Sequence, residues 1–99
     1  MVLRIGFTTS RGRVVRYVVQ LEIIDDTGPK LVRRPVVRHD AAHGEAHIDH
    51  IDPKGVTYDK QWLDIREPYN ETFNNAVRDL SENYQSHIER FRTMERRSR

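Results

Sequence analysis

Residues 14–24, VVRYVVQLEII, constrain this chain more than any other stretch. β-Branched and aromatic side chains crowd a helix but fit a pleated strand. Here they fall on both odd and even positions, and those positions face opposite sides of a strand. A strand apolar on both parities sits inside a sheet, buried on much of both faces. The rest of the chain must supply its neighbours and its cover.

The flanking sequence offers four more strands, separated by turn residues. VLRIGFTT at 2–9 precedes an SRGR turn. DDTG at 25–28, followed by Pro29, leads into LVRRPVVRH at 31–39. Pro35 has no N–H for a ladder, so this strand bulges there, lies at an edge, or starts at Val36. AAHG at 41–44 turns the chain into EAHIDHI at 45–51. DPKG at 52–55 has the residue preferences of a type I turn, and VTYDKQWLDI at 56–65 holds a fifth strand. Connections this short make neighbouring strands antiparallel.

After residue 66 the period changes. Phe73, Val77, Leu80, Tyr84, Ile88, Phe91 and Met94 form one stripe at helical spacing, uninterrupted by Gly or Pro. Asn70 is placed to cap this helix, and Glu71 suits its first turn. The expected fold is α+β: an antiparallel meander of four to five strands packed on one long C-terminal helix. Residues 1–94 make one domain, and 95–99 form a basic, disordered tail. Five strands span roughly 24 Å, whereas a helix over 71–94 is about 36 Å long. The overhang, with Phe91 and Met94, is expected to meet a second copy in a homodimer.

Composition removes several classes of function. The absence of cysteine excludes a disulfide scaffold, a thiol nucleophile and a thiolate zinc site. No run of 18 apolar residues exists to span a membrane, and the first residues lack the apolar core of a signal peptide. Cytoplasmic residence is the resulting expectation. Charge is uneven: residues 1–38 carry +5, 39–89 carry −7 and 90–99 carry +4. The basic segments can serve either as a solvated surface or as a nucleic-acid contact.

Chemistry-bearing side chains concentrate in residues 38–52, RHDAAHGEAHIDHID, which hold four of the five histidines. Parity sorts them. Glu45, His47 and Asp49 share one face of their strand, and Ala46, Ile48 and His50 share the other. Arg38 and Asp40 share a face of the preceding strand, with His39 opposite. Three readings are open. The histidines could bind a divalent metal, although His47 and His50 face opposite sides. They could transfer protons in metal-independent RNA cleavage, with a fixed arginine for the phosphate. They could also be ordinary polar residues of a hairpin. Trp62, with Leu63 and Ile65, reads as core, and His87 as a polar residue beside the helix stripe.

VVQLEI at 18–23 and PVVRHDAAHGEAHIDHIDPKG at 35–55 resemble a family of small, mostly archaeal and bacterial proteins. Its central motif reads roughly Val-Val-Arg-Tyr-Asp-x-Ala-His-Gly-x-x-His-x-Asp, and His39 stands where that motif has tyrosine. Asp79-Leu80, Asn83-Tyr84 and Phe91 resemble the family's helix. That family is in turn similar to the TumE-type toxins of toxin–antitoxin modules, through Arg38, Asp40, Ala42 and His43, and more loosely His47 and His50. The resemblance implies an RNA-directed toxin covered by an antitoxin protein. The expected catalytic set is Arg38 on the phosphate, His43 and His47 as acid and base, and Asp40 and Asp49 orienting them. Arg38, His39 and His50 are the expected substrate contacts. No cofactor is expected, and the divalent metal stays open. The alternative is a non-catalytic interaction module that dimerises through its C-terminal helix.

Overall fold

The computed structural model describes residues 1–97. Five strands come first: β1 (Val2–Ser10), β2 (Arg13–Asp25), β3 (Val32–Asp40), β4 (His47–Ile51) and β5 (Thr57–Trp62). They form one antiparallel meander in the order β1-β2-β3-β4-β5. Two helices follow, α1 (Asn70–Glu82) and α2 (Tyr84–Arg97), and both cover the same face of the sheet. Among the described residues, no helix is long and apolar enough to cross a membrane.

The strongest strand in the sequence is the second of five and the longest. Tyr17, Val19, Leu21 and Ile23 point to the helices and are buried there. Gln20 and Glu22 point to the opposite face and are buried too. The Tyr17 phenol is raised to about 12, chiefly by burial and then by Tyr69 and Asp40, so it stays neutral in the core.

Pro35 is accommodated by a bulge. Leu21 pairs with Val37 but Glu22 pairs with Pro35, so Val36 is the extra residue. The paired stretch of β4 begins opposite Val37, so no β4 partner waits for the missing Pro35 N–H.

The helical region differs from the single helix expected. It breaks at Asn83, whose φ of −111° and ψ of 16° leave the helical range. The apolar stripe continues across the break, so its spacing alone cannot distinguish a straight helix from two segments. Re-aimed at Asn83, α2 lands on the sheet. Phe91 is only 1% exposed, and the Arg34 guanidinium stacks 4.9 Å from its ring centre. The expected overhang therefore does not offer Phe91 to a second molecule, because the chain's own core occupies it. Arg34 also bonds Glu95 at 2.6 Å, and the helix runs to Arg97 through most of the expected 95–99 tail. Ser98 and Arg99, the rest of that tail, lie outside the described residues.

Asn70 is the first helical residue rather than the cap, which is Tyr69. Its side chain instead ties α1 to the first hairpin. Oδ1 accepts the Val14 N–H at 2.9 Å, and Nδ2 donates to the Gly12 carbonyl at 3.1 Å.

Candidate functional site

Strand alternation divides the histidine-rich hairpin between two faces. Register then places the open-face residues in rows. Arg4 pairs with Gln20, Gln20 with Arg38, Arg38 with Asp49, and Asp49 with Lys60. In the next row Val18, Asp40, His47 and Trp62 are successive partners. No helix covers these side chains.

The open face is a connected polar network. The Arg38 Nε donates to Gln20 Oε1 at 2.6 Å, and Gln20 Nε2 donates to Glu22 Oε2 at 2.7 Å. Arg4 lies 3.6 Å from the same Glu22 oxygen. His47 Nε2 stands 3.3 Å from Asp49 Oδ2, and its Nδ1 faces the Glu45 carbonyl at 3.1 Å. Trp62 closes the row, its ring centre 5.1 Å from that of His47, with the Lys60 ammonium 5.2 Å from the Trp62 ring.

Two acceptors in this network are unfinished. Asp49 is 5% exposed, yet its Oδ1 has no hydrogen-bond partner among the described residues, and Lys60 lies 3.8 Å away. Glu22 Oε1 is likewise buried with no partner among the described residues. Buried acceptors are nearly always satisfied, so such atoms mark places where something else completes the structure.

Of the expected catalytic residues, the structure brings Arg38, His47 and Asp49 together. Asp40 shares their face, but its Oδ1 accepts the Ala42 N–H at 2.7 Å and builds the turn after β3. His43 is exposed in that turn, beside Gly44, whose φ of 107° few other residues tolerate. It stands at the same end of the sheet as His47. Trp62 is not core: it is 55% exposed, because it faces the side the helices leave open.

The expected substrate contacts separate. Arg38 is on the open face, while His39 and His50 point under the helices. His39 is 5% exposed and bonded to Asp79, so it does not reach a substrate that Arg38 holds. Burial by the helix decides this.

Beneath the helices lies a second polar cluster. His39 Nε2 is 2.9 Å from Asp79 Oδ2, and His87 Nε2 is 3.1 Å from the same oxygen. Asn83 Nδ2 donates to Asp79 Oδ1 at 3.0 Å. Arg90 Nη2 reaches His87 Nδ1 at 3.2 Å and His50 Nδ1 at 2.7 Å. The hydrogen bonds from His39 and His87 hold the Asp79 carboxyl far below the usual carboxylate range. Ionised aspartate only accepts and arginine only donates. His39 and His87 therefore donate from Nε2, whereas His87 and His50 accept at Nδ1. Burial first, and the Arg90 charge next, lower the His50 pKa from 6.5.

Sequence reasoning missed Asp79 and Arg90 as members of a site. A signal was present: Asp79, Asn83, His87 and Arg90 follow helical spacing and form a polar stripe beside the apolar one. Among the described residues, no group of three or more His, Asp or Glu could hold a metal ion. His47 and His50 lie on opposite faces and cannot share one.

The fold and this face define a class: a single α+β domain with one sheet face sealed by helices and the other open and polar. Residues 1–97 match the family described as Domain of unknown function (DUF7718), and the chain belongs to it. No curated protein and no solved structure matches the chain.

Proposed function

We propose that the open sheet face binds single-stranded RNA and cleaves it by proton transfer through His47. The observation that carries this reading is the His47–Asp49 pair, set between the Arg38 row and exposed Trp62, with the buried Asp49 Oδ1 left without a partner. A sheet face with exposed aromatics and cations suits unpaired nucleic acid, because bases stack and phosphates meet charge. Arg38 and Lys60 would take phosphate oxygens, and Trp62 would stack on a base. Asp49 orients His47 through Nε2. His47 Nδ1, 3.1 Å from the exposed Glu45 carbonyl, would leave this contact, give the proton it holds there to water, and then accept the proton of a ribose 2′-hydroxyl. The 2′-oxygen would bond to the adjacent phosphorus to give a 2′,3′-cyclic phosphate as the bond to the 5′-oxygen breaks, and His43, in the adjacent turn, would protonate that leaving oxygen. A protein antitoxin would act by covering this same face.

Incubation of mixed RNA with the protein in chelator tests the reading. Cleavage in chelator that His47→Ala abolishes supports it. Cleavage only with added divalent metal moves the histidines to a ligand role. Unchanged cleavage by His47→Ala removes the assignment, as does the absence of both RNA binding and cleavage.

A further inference from the structure

A cavity of about 580 Å³ opens at the end of the sheet where β4 begins and β5 finishes. Trp62, Ile65 and Tyr69 supply its apolar and aromatic walls, and Glu45, Asp64, Arg66 and Glu67 its charges. Asp64, with a φ of 53°, turns the chain sharply after β5 and so shapes this corner. The Tyr69 hydroxyl donates to the Gly44 carbonyl at 2.6 Å, which fixes one wall. Burial first, and then the charges of Glu67 and Glu45, raise the pKa of that hydroxyl.

Trp62 belongs to two places at once. It lines this cavity, and its ring touches His47 on the open face. A base that stacks on Trp62 in the cavity would therefore stand next to His47, within reach for the attached sugar and 3′-phosphate to meet it. The cavity's net negative charge suits a base and not a phosphate.

The four bases differ in what they show a carboxylate. Guanine presents two adjacent donors, N1–H and the N2 amino group, and a carboxylate accepts both. Adenine and cytosine place a ring acceptor next to their amino donor, and uracil flanks its one N–H with two carbonyls. Only guanine gives a carboxylate a paired, charge-assisted contact, while its O6 and N7 suit an arginine. Pockets that stack an unpaired base on an aromatic ring and read its edge are the usual means of sequence-specific RNA recognition.

We infer that this cavity is a guanine-binding subsite, with Trp62 stacking on the base, Glu67 and Glu45 accepting from its Watson–Crick edge and Arg66 facing O6 and N7. The inference rests on the reading of the open face as an RNA site. It specifies that reading, because the bond cleaved is then the one 3′ to a guanosine.

Trp62 is the only tryptophan, so its fluorescence reports on the cavity directly. Titration with guanosine 3′-monophosphate and with the adenosine, cytidine and uridine 3′-monophosphates is the test. Saturable quenching by the guanosine nucleotide, about tenfold or more tighter than by the others, is expected. Glu67→Gln and Glu45→Gln should each reduce that preference, and both side chains are exposed, so the fold should hold. Equal quenching by all four nucleotides, or none, overturns the inference. Quenching by an arginine amide but not by the guanosine nucleotide would also overturn it and give the pocket to a basic peptide. The two proposals fail separately. RNA cleavage without guanosine preference leaves the open-face reading standing and removes the subsite. Selective guanosine binding without cleavage keeps the subsite and removes the catalytic role of His47.

Discussion

The two faces of the sheet use the same residue types to opposite ends. Beneath the helices, His39, His50 and His87 each have a fixed partner in Asp79 or Arg90. On the open face, His47 has one carboxylate partner, and that carboxylate still carries an unpartnered oxygen. A cluster whose carboxylate has both oxygens bonded, as Asp79 has, holds elements together, because breaking one bond strands a buried group. An unsaturated one can exchange partners with a ligand. The difference lies in the two carboxylates, since the covered cluster also holds a buried Arg90 Nε with no partner among the described residues, and β3 supplies both sites from adjacent residues, Arg38 and His39.

Substitutions can break this contrast. The largest expected effect is catalytic. His47→Ala should lower RNA cleavage by about 10²- to 10⁴-fold, while urea denaturation shows a stability loss of only about 1–2 kcal/mol, from the buried Asp49 that loses its partner. A loss of stability matching that of a helix-side variant would mean that both clusters are structural. Next comes Asp79→Ala, which leaves His39 and His87 without their acceptor. It should destabilise the fold by about 2–4 kcal/mol, read from the urea midpoint. An unchanged midpoint would show that the covered cluster does not hold the helices.

Trp62→Ala should weaken single-stranded RNA binding by about 1–3 kcal/mol, measured by fluorescence anisotropy of a labelled oligonucleotide, with the fold intact. Acidification sharpens the contrast from the other side. The His50 pKa is lowered on folding from 6.5, so its contribution is complete above that pH and is lost as pH falls through the folded value. The Asp79 pKa is lowered from 3.8, so its contribution is present above that pH and is lost below it. Chemical denaturation at successive pH values should show stability falling in these two ranges, and Asp79→Asn should reduce the lower one, to which Asp25 and Glu95 also contribute. Stability that rises on acidification through both ranges would contradict the assignment. The smallest effect is that of Lys60→Ala, which should reduce the salt dependence of RNA binding by about one phosphate contact.

The fold was largely legible because each element announces its own period. The strands of the meander and their turns lie within a few residues of expectation, and parity separated His47 and Asp49 from His50. Parity does not say which face a helix will cover. Sequence alone therefore puts Trp62 in the core and His39 beside a substrate, whereas Trp62 faces the open side and His39 the helices. The break at Asn83 was hidden because a stripe at 3.6 spacing survives it. Asp79 and Arg90 were passed over because charges on a helix usually face water, and only the packed sheet shows that these do not.

The meander also bears on how the chain is made. All five strands precede both helices, so a ribosome delivers the sheet first and its cover last. Residues 70–97 need a few seconds to be added at about 5–20 residues per second. For that interval Tyr17, Val19, Leu21 and Val37 have no helix to pack against. The nascent sheet is sticky on one side while its polar side is already finished. Conditions that slow translation through the helical region should therefore lower soluble yield, whereas slowing within the strands should matter less.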